Sequence, residues 1–128
     1  MKFLVAVTRK IPEAGLGLLA EKFDLKISEY QRPLKSAELL AFVQGAQAIL
    51  SQLTDRIDGK VLDAAGKQLK IVANYAVGFD NIDLAAAKKR KVIVTNTPGV
   101  LTEAVAEHTF ALLMTAARRI VEADKFLR

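Results

Sequence analysis

Short aliphatic runs alternate with longer amphipathic segments along the whole chain, and this alternation constrains the fold more than any other feature. The runs are Phe3–Val7, Ala46–Leu50, Leu69–Ala73 and Val92–Val94. Such runs are typical of strands that are covered on both faces of a parallel sheet. Leu25–Tyr30 instead alternates apolar and polar residues, which predicts a strand at the edge of the sheet.

A helical pattern with a recognisable start follows each run. Pro12 suits the first turn of a helix, Ser36 and Asp58 can cap one, Asn81 precedes another, and Thr102 opens the last and longest pattern. This alternation predicts an α/β fold with a doubly wound, five-stranded parallel sheet in a single three-layer domain. The right-handed crossover rule favours the flavodoxin-like strand order 2-1-3-4-5, which places the weaker second strand at an edge.

Composition narrows the class of protein. A chain of 128 residues with 52% apolar content can bury one core, and the absence of cysteine excludes disulfides and thiolate metal sites. The apolar N-terminal run is too short for a signal peptide or a membrane span, so we expect a cytoplasmic protein with no membrane partner.

The net charge of +5 suggests nucleic-acid binding, but its distribution argues against that function. The only dense basic run, Lys88–Lys91, has no aromatic neighbours for base stacking. Cations at a helix C-terminus also suit the helix dipole, so we interpret the run as a solvated helix end and expect no nucleic-acid partner.

In doubly wound sheets, ligands bind beyond the carboxyl ends of the strands. A flavin site needs a phosphate-binding loop after the first strand, where Pro12 removes one backbone donor. A phospho-accepting receiver domain needs clustered acids there, but the first strand ends in Arg9 and Lys10. Both functions are disfavoured.

The stretch NYAVGFDNID, residues 74–83, offers a different site. The small residues Ala76 and Gly78 let backbone N–H groups approach a ligand, and Gly78 allows a geometry that a side chain would obstruct. A carboxylate held by the amides of Val77 and Gly78 is one interpretation. The other is a tight turn into the next helix, capped by Asp80 or Asn81, which spacing alone favours.

NYAVGFDNID, followed by KRKVIVTNTPGVLTEAVAEHTFALLMTAARRIVEADKFLR, resembles the N-terminal part of the D-isomer-specific 2-hydroxyacid dehydrogenases. The resemblance covers nearly the whole chain and is greatest to the glyoxylate and hydroxypyruvate reductase and phosphoglycerate dehydrogenase branch. It implies that Ala76, Val77 and Gly78 present amides to the carboxylate of a small 2-oxo or 2-hydroxy acid, with Leu53 lining the pocket. It also implies that a helix starting near Thr102 faces an NAD or NADP cofactor.

The resemblance further implies that catalysis needs a Rossmann domain with a Gly-rich turn and downstream Arg, Glu and His residues, which this sequence lacks. Gly15-Leu16-Gly17 comes nearest to the dinucleotide fingerprint but lies in a helical pattern. His108, the only histidine, falls in the last helix and is interpreted as a surface or interface residue. We therefore expect no catalytic residue, no metal site and no tightly bound cofactor.

We divide the chain into a substrate domain, residues 1–100, and a helix, residues 101–128, that in the family crosses to the NAD-binding domain. A continuous helix over Thr102–Arg128 would span about 40 Å. Its apolar centre needs a second partner, so we predict that it folds back onto the sheet and also supports some self-association as a homodimer. The leading hypothesis is a substrate-binding half of a dehydrogenase that is inactive alone and pairs with a missing NAD-binding domain; the alternative is a non-enzymatic, stand-alone flavodoxin-like module.

Overall fold

Five parallel strands form one sheet in the computed structural model, which describes residues 2–128, and their order is β2-β1-β3-β4-β5. The predicted α/β fold and strand order are confirmed, including the edge position of the second strand. The strands are β1 Leu4–Val7, β2 Asp24–Ile27, β3 Ala48–Gln52, β4 Ile71–Tyr75 and β5 Ile93–Thr95. The helices are α1 Glu13–Lys22, α2 Ser36–Phe42, α3 Gly59–Ala65, α4 Leu84–Lys89, α5 Thr102–Ala117 and α6 Ile120–Leu127.

The chain divides into two compact units, one ending at Thr97 and the other spanning Pro98–Arg128. In the first unit, Ile49 and Val72 belong to a core cluster with residues of α2, α3 and α4. Val5 and Val7 pack with Leu16 of α1 in a second cluster. Because neighbouring residues of a strand point to opposite faces, the two clusters lie on opposite sides of the sheet and produce three layers.

Two strands differ from the expectation of burial on both faces. Tyr75 of β4 and Ile93 of β5 are exposed. The cluster formed by α1 and β1 covers one face of the sheet. It extends to Ala48 and Leu50 of β3 but includes no residue of β4 or β5. The order of strands therefore follows the prediction, whereas full coverage of the sheet does not.

The middle strands begin and end two residues later than predicted. Ser51 and Gln52 pair with Asn74 and Tyr75 in the β3–β4 ladder, so polar residues that were expected to lie beyond the strands belong to them. Ser51 and Asn74 are also buried. This extension holds the carboxyl ends of β3 and β4 in a defined register, directly before the loops of interest.

The second unit contains two helices rather than the single long helix expected. Arg119 adopts a left-handed conformation (φ 50°, ψ 40°), and its N–H donates to the carbonyl of Ala116 at 3.2 Å. That short-range bond ends α5 and turns the chain into α6. Self-association and folding back remain predictions. Among residues 2–128, no helix has the length and apolarity that crossing a membrane requires.

An ion pair between Arg32, which precedes α2, and Glu38, in the first turn of α2, predicts that the stability of the fold falls in acid. Arg32 donates to Glu38 at 2.8 Å and the N–H of Lys35 donates to the same carboxylate at 2.7 Å; together they lower the pKa of Glu38 from 4.5 to about 2. Because this pKa is depressed in the folded state, the stabilisation is present above pH 4.5 and is lost as the pH falls towards 2. We expect Glu38→Gln to reduce the loss of stability between these pH values, measured by urea unfolding; identical pH profiles would contradict the assignment.

Candidate functional site

The loop of residues 76–78, directly after β4, has all its carbonyls engaged inside the protein. The bonds are Thr97 N to Ala76 O at 2.9 Å, Asn96 Nδ2 to Val77 O at 2.7 Å, and Asn74 Nδ2 to Gly78 O at 2.9 Å. Three consecutive carbonyl groups are therefore fixed from three different positions of the chain. The orientation of the intervening peptide planes is fixed with them.

The backbone N–H groups of the same loop, unlike its carbonyls, are not hydrogen-bonded within the described part of the protein. Within residues 2–128, the backbone N–H groups of Ala76, Val77 and Gly78 donate to no protein acceptor. All three residues are partly accessible to solvent. Backbone N–H groups without internal acceptors are available to donate to an anion. The loop thus offers donors to a ligand while its acceptors are already used.

The expectation that Gly78 adopts a backbone geometry that a side chain would obstruct is wrong. Its backbone does not adopt the left-handed conformation that favours glycine, and a Cβ built there would have one neighbour, Asp80 Oδ2, at 3.8 Å. That distance is an ordinary van der Waals contact, so the fold itself does not exclude a side chain. The absence of a side chain instead leaves open space beside the Gly78 N–H.

A network of hydrogen bonds around the buried Asn74 side chain holds the loop of residues 76–78. Asn74, only 2% exposed, accepts from the Ser51 hydroxyl at 2.9 Å and donates to Asn81 Oδ1 at 3.0 Å, besides its bond to Gly78. Among the described residues, every buried side-chain nitrogen and oxygen atom has a hydrogen-bond partner. A fully satisfied network of this kind rigidifies the segment that it supports.

Asn81 joins this network to the loop after β3. Its Nδ2 donates to the carbonyls of Gln52 at 3.1 Å and Asp55 at 2.9 Å. The cap of α4 is Asp83, which accepts from the N–H of Ala86, and neither Asp80 nor Asn81 has that role. Sequence reasoning missed the bridging role of Asn81; a signal was available in the pair of Asn residues at the two ends of the 74–81 segment.

The loop after β3 carries Leu53, whose side chain is 61% exposed. Asp55 closes this loop because its Oδ2 accepts from the N–H of Gln52 at 2.8 Å and from the Thr8 hydroxyl. Asp55 is 3% exposed, so its side chain is a buried structural acceptor at the carboxyl ends of the strands. Sequence reasoning did not identify Asp55.

The predicted site residues fall in two places. Leu53 and the three loop residues lie at the ends of the adjacent strands β3 and β4, which the register Gln52–Tyr75 brings side by side. Thr102 is the first residue of α5, in the second unit, and its side chain is exposed. His108 is also an exposed residue of α5. The role of Thr102 near a cofactor remains a prediction.

Among residues 2–128, Gly15-Leu16-Gly17 forms no dinucleotide-binding turn, and no cluster of metal-binding side chains is found. Gly15 and Gly17 lie inside α1, and a Cβ on Gly15 would meet Ile11 Cδ1 at 3.0 Å, so Gly15 serves helix packing. The dinucleotide fingerprint requires a turn between a strand and a helix, which these glycines do not form. Within residues 2–128, no group of three His, Asp or Glu side chains gathers at metal-binding distance.

Comparison with known proteins gives consistent matches over nearly the whole chain. The family model described as "D-isomer specific 2-hydroxyacid dehydrogenase, catalytic domain" matches residues 5–123. A glyoxylate reductase of Korarchaeum cryptofilum is 52% identical over the whole chain, which spans 38% of that relative's length.

Two crystal structures add to these matches. One is of a protein from Thermus thermophilus (44% identity, TM-score 0.85, 98% of this chain and 40% of that one). The other is of a putative D-isomer specific 2-hydroxyacid dehydrogenase from Polaromonas sp. JS6 66 (30% identity, TM-score 0.90, 100% and 40%).

Proposed function

We propose that this chain, which belongs to the D-isomer-specific 2-hydroxyacid dehydrogenase family, binds the carboxylate of a small 2-oxo or 2-hydroxy acid on the amides of Val77 and Gly78. The observation that carries the proposal is the asymmetry of the 76–78 loop, whose carbonyls are bonded internally while its N–H groups are not. Hydrogen bonds from N–H groups to a charged acceptor are about twice as strong as neutral ones.

The end of β4 itself offers no side-chain cation for a phosphate group. Asn74 is uncharged, buried and fully engaged by Ser51, Gly78 and Asn81, so it provides no cation at the end of β4. Leu53 supplies an apolar surface at the neighbouring strand end. We therefore propose glyoxylate or hydroxypyruvate as the 2-oxoacid, in keeping with the glyoxylate reductase names of the curated relatives.

The reduction of such an acid in the whole protein would use NADH or NADPH, which supplies the hydride. The glycines of α1 do not form a dinucleotide-binding turn, and the proposed role of this chain is to hold the carboxylate and orient the acid towards a separate NAD-binding domain. We expect the 128-residue chain alone to be inactive. Oxidation of NADH by the pure chain in the presence of glyoxylate would contradict this part of the proposal.

The binding proposal is tested by ¹⁵N NMR titration of the chain with oxamate, a 2-oxoacid analogue that does not hydrate. We expect saturable shifts centred on the amides of Val77 and Gly78, with a Kd of about 1–10 mM, as two or three hydrogen bonds to one small anion would give. Amide shifts spread over the basic surface, with none at these two residues, would refute carboxylate binding by the loop.

A further inference from the structure

Arg9 holds the loop that carries Leu53. Its Nε donates to Gln52 Oε1 at 3.0 Å, and its Nη2 donates to the same oxygen and to Thr54 Oγ1, the latter at 3.4 Å. The side-chain amide of Gln52 in turn donates to the carbonyl of Arg9 at 3.4 Å. Gln52 and Thr54 immediately precede and follow Leu53. The guanidinium therefore bridges the two residues on either side of Leu53.

The acceptors that Arg9 uses are neutral. Among residues 2–128, no carboxylate oxygen lies within 4.0 Å of its guanidinium, and none of the ion pairs includes it. Asp55, the nearest acid along the loop, accepts from Thr8 and from the Gln52 N–H instead. The planar fork of an Arg fixes two acceptors in a set geometry, which a flexible side chain does not do.

Leu53 is adjacent to the loop of residues 76–78. Gln52 pairs with Tyr75, so the next residues, Leu53 and Ala76, leave the sheet side by side. Neighbouring strands lie about 4.8 Å apart, which is within reach of a leucine side chain. Leu53 therefore lies beside the loop whose amides are proposed to hold the acid.

We propose that Arg9 is a positioning residue, which fixes Leu53 against the non-carboxylate end of the bound acid and so favours 2-oxoacids over ligands that consist of a carboxylate alone. The inference rests on the proposed function and deepens it. In this proposal Arg9 does not contact the acid; it acts by holding the side chains of Gln52 and Thr54, on either side of Leu53. Burial of one methylene-sized contact corresponds to about a fourfold gain in affinity.

The test is a double-mutant cycle with two ligands, oxamate and formate, followed through the Val77 and Gly78 amides. We expect Arg9→Met and Leu53→Ala each to raise the Kd for oxamate about fourfold, and the double variant to raise it no further than Leu53→Ala alone. Formate has no second carbon, so its Kd should stay unchanged in all variants. Arg56→Gln removes an equal charge from an 88% exposed side chain in the same segment and should leave both ligands unaffected.

Three results would overturn the inference. Equal weakening of oxamate and formate binding by Arg9→Met would show that the charge attracts both ligands directly. Additive effects in the double variant would show that Arg9 does not act through Leu53. An unchanged Kd for oxamate in Arg9→Met would show that Arg9 has no role in binding. Thermal unfolding of each variant identifies any that is not folded, and Arg9→Gln then replaces Arg9→Met. Failure of the proposed function is distinguishable, because in that case neither ligand would shift the two amides of the wild-type chain.

Discussion

Asn74→Leu, at the carboxyl end of β4, is expected to lower the free energy of unfolding by about 3–5 kcal/mol. Leucine has a similar volume but no polar atoms, so it leaves the Ser51 hydroxyl, the Gly78 carbonyl and the Asn81 amide without this partner. Each buried polar group that loses its partner costs about 1–3 kcal/mol. The loss also releases the carbonyl of Gly78, so carboxylate binding should weaken together with stability.

Urea unfolding monitored by circular dichroism measures this effect. Gln47→Leu is the matched control, since it removes a single side-chain bond, from the Leu4 N–H at 2.7 Å, at the opposite, amino-terminal end of the central strands β1 and β3. The control should lose about 1 kcal/mol and retain binding to oxamate. If Asn74→Leu were no less stable than the control, the network would not be the support of the loop.

Gly78→Ala is expected to weaken oxamate binding about tenfold or more while leaving the fold intact. A Cβ at this position meets only Asp80 Oδ2, at 3.8 Å, so the free energy of unfolding should change by less than about 1 kcal/mol. We expect the new methyl group to narrow the approach of a carboxylate to the N–H of residue 78, because it fills space that is open in the wild-type chain. Loss of one charge-assisted hydrogen bond corresponds to a tenfold or larger fall in affinity, at about 1.4 kcal/mol per tenfold.

Gly17→Ala provides the comparison for this substitution. Gly17 lies in α1, and a Cβ there has no neighbour within 4 Å. Alanine in a helix is favoured over glycine by about 0.5–1 kcal/mol, so this variant should be slightly more stable and bind oxamate normally. Normal oxamate binding by Gly78→Ala would place the ligand away from this loop.

The fold followed from the sequence because aliphatic runs and capped helical patterns agree with each other along the chain. The edge position of β2, for example, was predictable from the alternation in Leu25–Tyr30. The ends of β3 and β4 were not, because Ser51, Gln52 and Asn74 are polar and therefore resemble loop residues. The burial of Ser51 and Asn74 depends on a hydrogen bond between residues 23 positions apart, which no local pattern reveals.

The position of the candidate loop was predictable, but the reason for its geometry was not. Sequence reasoning assigned the key property to Gly78, whereas the structure assigns it to side chains that engage the loop carbonyls, those of Asn74 and Asn96. Asn81 resembled a helix cap because Asn often caps helices, but Asp83 takes that role and frees Asn81 to bridge two loops. The break at Arg119 was also unforeseen, since neither Gly nor Pro marks it.

A crystal structure of the chain with oxamate bound would show directly whether the loop of residues 76–78 holds the carboxylate. We predict that the carboxylate oxygens lie about 3 Å from the backbone nitrogens of Val77 and Gly78, with the loop carbonyls still bonded to Thr97, Asn96 and Asn74. Oxamate held elsewhere on the rim, with the nitrogens of Val77 and Gly78 facing only solvent, would contradict the central claim.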